Sequence, residues 1–193
     1  MSAEYALFSK EENEILTRTG PGTPMGKLLR RYWLPAIKSE EVSVSGGDQL
    51  RLKLLGEDLI VFRSTDGRVG VLDQFCPHRR ANLFFARNEE CGLRCTYHGW
   101  KFDVTGQCVE IPSEPEDSEF RKEIKLQAYP LIKVGDILWT HMGDPSNVPP
   151  EPEWEFATVA PEQTVSTKRI QECNWLQALE GGIDSSHVSF LHS

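Results

Sequence analysis

The spacing of apolar and polar positions changes twice along the chain. Ser9-Lys10-Glu11-Glu12 ahead of Glu14-Ile15-Leu16 is a capping-box pattern and predicts a short first helix. Thr23-Pro24 supplies an N-cap and an N1 proline for a second helix through Met25 to Trp33, which Pro35 is expected to stop. From about 42 to 142 the pattern becomes that of strands. Leu50, Leu52 and Leu54 alternate with Arg51 and Lys53, and Leu59-Ile60-Val61-Phe62 is a short apolar run after a Gly56-Glu57-Asp58 turn. Asp66-Gly67 marks a hairpin before Val69-Gly70-Val71-Leu72. Gly92–Cys95, Lys101–Asp103, Cys108–Ile111 and Ile137–Thr140 continue the series, with a turn at Val134-Gly135-Asp136. Short strands at this spacing predict a small antiparallel sandwich, mainly β with short helices.

The acidic stretch Ser113–Glu119 reads as a solvated loop, and Gly143–Pro152 as a linker by composition. Past the linker, Thr164 to Ile170 is a candidate strand, and a helical pattern runs from about Cys173. The expected organisation is an N-terminal helical segment (1–41), a strand domain (42–142), a linker (143–154) and the start of a further domain (155–193).

Composition narrows the function classes. The 193 residues suffice for one domain, or one and part of another. With 21 Lys+Arg against 29 Asp+Glu the formal net charge is −8, which argues against nucleic acid and anionic membrane, since both need basic surface. No apolar run approaches the ~18 residues of a spanning helix. The Met1–Ala6 start lacks the basic and apolar regions of a secretory signal, so a cytoplasmic chain is expected. Five Cys are too few for a disulfide scaffold, which leaves metal-binding, catalytic or plain core roles.

Cys76-Pro77-His78 is followed, after sixteen residues, by Cys95-Thr96-Tyr97-His98. Each half offers one thiolate and one imidazole. A tetrahedral zinc site and a [2Fe–2S] cluster with two Cys on one iron and two His on the other need the same four ligands. Alternation of Cys and His within each loop favours the cluster, because each loop can then reach both irons. A finger-type zinc site usually groups its Cys and its His separately. Cys91 and Cys108 have no partner in this pattern and read as buried small hydrophobes, and Cys173 as core. His141 reads as a surface or core residue.

Cys76-Pro77-His78-Arg79 and Cys95-Thr96-Tyr97-His98-Gly99-Trp100-Lys101-Phe102-Asp103 resemble the two cluster-binding loops of Rieske non-haem iron oxygenases, the large (alpha) subunits of aromatic ring-hydroxylating oxygenases and related O-demethylases. The likeness continues through Gly106 and Ile111-Pro112-Ser113-Glu114, and Met25 to Pro35 resembles the phthalate-dioxygenase-like branch. The resemblance implies the Rieske-type antiparallel sandwich. It implies that Cys76 and Cys95 hold one iron and His78 and His98 the other, with Tyr97, Trp100 and Phe102 as shielding aromatics. Arg80 departs from it, since many members have Gly there.

Asn174 to Glu180 is helical in pattern and leads into Gly181-Gly182-Ile183-Asp184-Ser185-Ser186-His187-Val188-Ser189-Phe190-Leu191-His192. Glu180, Asp184 and His187 share one helical face. On an ideal helix His187 and His192 point about 140° apart, so convergence needs a break, for which Gly181-Gly182 is the candidate bend. Resemblance to the same family implies that His187 and His192 are ligands of a mononuclear Fe(II). It implies that Asp184 is the aspartate bridging to a cluster histidine, His98, of the next subunit, acting in electron and proton transfer. Glu180 is either an outer acid or a surface residue. The family's third, carboxylate ligand lies further downstream than His192, so the reading expects the N-terminal portion of a longer enzyme, a truncated gene product, or an electron-transfer module with a vestigial tail.

The implied activity is hydroxylation or O-demethylation of an aromatic compound with O2 in the bacterial cytoplasm. Electrons come from NAD(P)H only indirectly, through a flavin/iron–sulfur reductase, and the full-length enzyme is a homotrimer. The alternatives are a stand-alone ferredoxin-like Rieske carrier and a structural zinc module.

Overall fold

A computed structural model of the chain describes residues 8–115 and 117–192; Met1–Ala6 of the sequence reading and Glu116 of the acidic stretch lie outside the described residues. Helix α1 (Lys10–Thr17) starts at the expected capping box: the Ser9 hydroxyl accepts from Glu12 N–H at 3.2 Å, and the Glu12 carboxylate accepts from Ser9 N–H at 2.8 Å. Helix α2 (Pro24–Leu29) is capped by the Thr23 hydroxyl.

The second helix is shorter than its pattern suggests. It ends at Leu29, where the Arg30 guanidinium turns back to donate to the carbonyls of Thr19 and Leu55 and to pair with Glu57 at 2.5 Å. Trp33 already belongs to strand β1 (Trp33–Lys38), and Pro35 lies inside that strand rather than stopping a helix. Proline is tolerated there because β1 is a sheet edge and its register slips between Pro35 and Ile37, where a missing N–H is harmless.

The remaining strands are β2 (Leu50–Leu54), β3 (Glu57–Arg63), β4 (Val69–Asp73), β5 (Arg87–Glu89), β6 (Gly92–Arg94), β7 (Lys101–Phe102), β8 (Cys108–Glu110), β9 (Ala128–Tyr129), β10 (Leu131–Val134) and β11 (Ile137–His141). They form three antiparallel sheets in the orders β1-β11-β10, β2-β3-β4-β9 and β5-β6-β7-β8. The antiparallel β architecture with short helices expected from the sequence is therefore the one observed.

Strand β3 explains why the core has two compartments. Ile60 and Phe62 pack with Leu72, Leu83, Leu93 and Phe102 toward the small sheet, whereas Leu59 and Val61 pack with Ile37, Val71 and Leu138 toward the β1 sheet. A strand covered on both faces reads as a continuous apolar run, as β3 does. Each of these fully buried side chains stabilises the fold by about 1.5–3 kcal/mol. The compartment facing the small sheet also contains Cys76, Cys95 and Trp100.

Beyond the sheets two expectations fail. Residues 164–170 form no strand, and Val165 and Ile170 stand 89% and 85% exposed. Among the described residues the segment joins no ladder, and its Lys168 pairs with Glu41. Helix α4 (Trp175–Ile183) runs straight through Gly181-Gly182, whose cost of about 1 kcal/mol each is not enough to break it. The chain leaves the helix at Asp184 and forms one further turn, α5 (Val188–Leu191). The linker is fastened to the sheets: Trp33 Nε1–H donates to the carbonyls of Pro149 and Pro150, and Trp154 lies 4.2 Å from the Trp139 ring. A short helix α3 (Phe120–Glu123) follows the acidic loop.

Candidate metal centre

Two loops with the same backbone construction face each other across the inner compartment. In the first, Cys76 N–H donates to Ala81 O at 2.9 Å and Arg80 N–H to Cys76 O at 2.9 Å. In the second, Cys95 N–H donates to Trp100 O at 2.9 Å and Gly99 N–H to Cys95 O at 3.0 Å. The fifth residue of each loop is left-handed: Gly99 at φ +77° and Arg80 at φ +56°. Arg80 is thus the counterpart of Gly99, held in a region that favours glycine. Its guanidinium lies 4.8 Å above the Phe75 ring and 3.6 Å from Asp73.

Side chains that the sequence reading passed over fasten both loops. Buried Gln49 donates through one amide nitrogen to the carbonyls of Leu83 and Ala86 at 3.2 and 2.8 Å, and to that of Phe84, fixing the chain that leaves the first loop. Beside the second loop, Arg94 pairs with Glu89 and Glu110 and donates to Gly99 O at 3.1 Å, while Lys101 pairs with Glu90 and Glu110 at 2.9 Å. Arg94, with Lys101 next, holds the Glu110 carboxyl down at about 2. The register Arg94↔Lys101↔Glu110 across β6, β7 and β8 makes this network. In the sequence the three look like ordinary charged surface positions.

The four expected ligands come together as two pairs. Cys76 and Cys95 are 1% and 3% exposed, and Cys95 lies close enough to Cys76 to act on its thiol. Burial pushes the Cys76 thiol up to about 11, opposed by the His78 N–H and reinforced by Cys95. The His78 and His98 rings stand 4.4 Å apart. Trp100 stacks on His78 at 4.5 Å and 5°, and Tyr97 covers His98 at 3.9 Å. Phe102 is fully buried in the same compartment.

His78 Nδ1 is buried without a hydrogen-bond partner, an arrangement that normally costs about 1–3 kcal/mol unless something fills it. Among the described residues no three His, Cys, Asp or Glu side chains converge as a single ion requires. Two thiols paired with each other, two imidazoles paired with each other and an orphaned ring nitrogen fit a two-iron, two-sulfide group better than one tetrahedral zinc.

The remaining cysteines divide. Cys108 is buried, as expected. Cys91 is exposed, because Glu90 and Cys91 at φ +46° and +64° form the two-residue tip of the β5–β6 hairpin. Cys173 is also exposed, just ahead of the Asn174 cap of α4. His141 proves to be a core residue, edge-on to Trp33.

The second constellation is compact and open to solvent. Asp184 Oδ1 accepts from Ser186 N–H at 2.8 Å, and its other oxygen lies 3.0 Å from His187 Nδ1. These contacts, the Ser186 amide first, hold the Asp184 carboxyl below its ordinary range. The His187 and His192 rings stand 5.4 Å apart. They converge because α5 is a single turn that His192 leaves at φ −121°, so the separation of an ideal helix does not apply. Glu180 takes a hydrogen bond from Gln177 on the helix surface. Within the chain, Asp184 is bonded to His187 and not to His98.

A family model described as Rieske [2Fe-2S] domain matches residues 32–130, and one described as LigXa C-terminal domain like matches residues 140–193. The chain is 48% identical to the phthalate 4,5-dioxygenase oxygenase subunit of Pseudomonas putida, over 97% of this chain and 43% of that protein. It is 48% identical to the 3-chlorobenzoate-3,4-dioxygenase oxygenase subunit of Comamonas testosteroni, over 94% of this chain and 42% of that protein. A crystal structure of dicamba monooxygenase with non-heme iron and dicamba superposes with a TM-score of 0.58 at 29% identity, over 69% of this chain and 40% of that one. The chain spans about two-fifths of the length of the curated relatives it matches. Among the described residues no helix is long and apolar enough to cross a membrane.

Proposed function

The chain belongs to the Rieske [2Fe-2S] domain family, and from that premise we propose that it is the cluster-bearing part of an oxygenase component that hydroxylates or O-demethylates an aromatic compound. In this reading residues 42–142 are the cluster domain, 143–154 the linker, and 155–193 the start of the iron-bearing domain. A flavin/iron–sulfur reductase is the electron donor, and the whole enzyme is a trimer. The observation that carries the proposal is the pairing of Cys76 with Cys95 and of His78 with His98 between two loops of identical construction.

When bound, a [2Fe–2S] cluster supplies one-electron transfer and a mononuclear iron supplies O2 activation. The protein's contribution is protonation, shielding and orientation. Buried beside Cys95, the Cys76 thiol resists ionisation, so it becomes a thiolate only as positive charge enters beside it. Trp100 keeps the His78 face dry, whereas His98 is exposed and positioned at the surface by Tyr97. Asp184 accepts from His187 Nδ1–H, which leaves His187 Nε2 as the ligand atom and fixes the ring's direction. The pairing of the His187 and His192 rings, with Asp184 bonded to His187, favours an oxygenase over a stand-alone carrier, which has no use for a second pair of imidazoles.

Anaerobic reconstitution with iron and sulfide tests the proposal. Two irons and two acid-labile sulfides per chain are expected, with the visible and EPR spectra of a mixed-ligand cluster, and Cys76→Ser should abolish both. Binding of one zinc without sulfide would establish the structural-zinc reading instead.

A further inference from the structure

Helix α4, which leads into Asp184 and His187, has no buried residue of its own. A nine-residue helix does not hold together in water without a partner. Its partner is α1. The Trp175 indole N–H donates at 2.9 Å to Leu16 O, in the last turn of α1, where helix carbonyls lack intrahelical partners.

α1 is in turn pinned to the sheets. The Thr23 hydroxyl donates to Arg18 O at 2.8 Å, and Arg30 joins Thr19 O to Leu55 O at 3.1 Å each. Gly20 lies so close to the β2–β3 turn that a Cβ on Gly56 would sit 2.9 Å from its Cα. An unbroken series of contacts thus runs from the β2–β3 turn through residues 18–23 and α1 to α4.

We propose that this N-terminal segment is a strap: it docks α4, the helix that leads into Asp184 and His187, on the cluster domain, and Trp175 is the positioning residue that closes it. The assignment of His187 and His192 as iron ligands belongs to the proposed function, on which the purpose of the strap rests. The docking itself does not depend on it. Without the strap, α4 is tied to the sheets by the segment from Trp154 to Asn174, and that segment makes no strand. Asp184 and His187 would then lose their fixed position relative to the cluster loops.

Hydrogen exchange on the full 193-residue chain, read by mass spectrometry, tests this. Trp175→Phe keeps the ring and removes the N–H, and should speed exchange across 176–183 roughly two- to tenfold. Ser9→Ala touches neither α4 nor the sheets; it weakens only the cap of α1, and should speed exchange of both 10–17 and 176–183 roughly fivefold. Exchange in 57–63 and the spectrum of the reconstituted cluster should not change in either variant. Faster exchange of 10–17 in Ser9→Ala with 176–183 unaltered overturns the strap, as does an unaltered 176–183 in Trp175→Phe. Co(II) absorbance at His187 and His192 is the separate readout: a protected 176–183 without Co(II) binding leaves the strap standing and removes the iron assignment.

Discussion

Arg80 offers a quantitative test of the loop construction. If it is the counterpart of Gly99, its backbone carries the penalty of a left-handed L-residue, about 1–2 kcal/mol. Its side chain compensates in part. The ion pair to Asp73 at 3.6 Å joins side chains 65% and 32% exposed, so it contributes less than about 1 kcal/mol. The cation–π contact to Phe75 at 4.8 Å contributes about 0.5–1 kcal/mol at an exposed position. Arg80→Ala removes both contacts and keeps the strained Cβ, so it should destabilise by about 1 kcal/mol. Arg80→Gly removes the same contacts but releases the penalty, less the roughly 0.5–1 kcal/mol that glycine's freedom adds to the unfolded chain. The glycine variant should therefore be close to wild type and about 1 kcal/mol above the alanine variant. Urea titration of the cluster-free, reduced protein measures this as a shift in midpoint at constant slope. Alanine equal to or more stable than glycine would refute the equivalence of the two loops.

Other outcomes follow from particular contacts. Gly106→Ala should destabilise by about 3 kcal/mol or more on thermal melting, because φ is +79° and the new Cβ would lie 2.1 Å from Leu126 O. Gln49→Leu leaves the carbonyls of Phe84 and Ala86 without this donor, that of Leu83 keeping the Ala86 N–H, and should lower stability by about 1–3 kcal/mol with faster amide exchange in 81–86. The Glu110 carboxyl, held at about 2 against an ordinary 4.5, contributes stability that is present above 4.5 and is lost as pH falls toward 2. Because Glu110 is 42% exposed the effect should be below about 1 kcal/mol, and Glu110→Gln should flatten the acid limb of the melting profile across that window.

Much of the site was legible because its signals are local or chemical. Caps at Ser9 and Thr23 act within three residues, the hairpin at Asp66-Gly67 within four, and a pair of Cys-x-His and Cys-x-x-His loops carries its ligand types in plain view. What failed depended on distant partners. Pro35 looked like a helix stop because only β11, a hundred residues away, makes its segment a strand. Thr164 to Ile170 had the composition of a strand but joins no ladder among the described residues.

The sequence by itself determined the antiparallel class and the thiol–imidazole chemistry, since periodicity and ligand type are properties of the chain. Only the tertiary structure decided that Arg80 takes a glycine's conformation, that Arg94, Lys101 and Glu110 share one ion network, and that His187 and His192 meet at the two ends of a single helical turn. Each of these is set by which backbone lies opposite, and that depends on how the strands and helices pack.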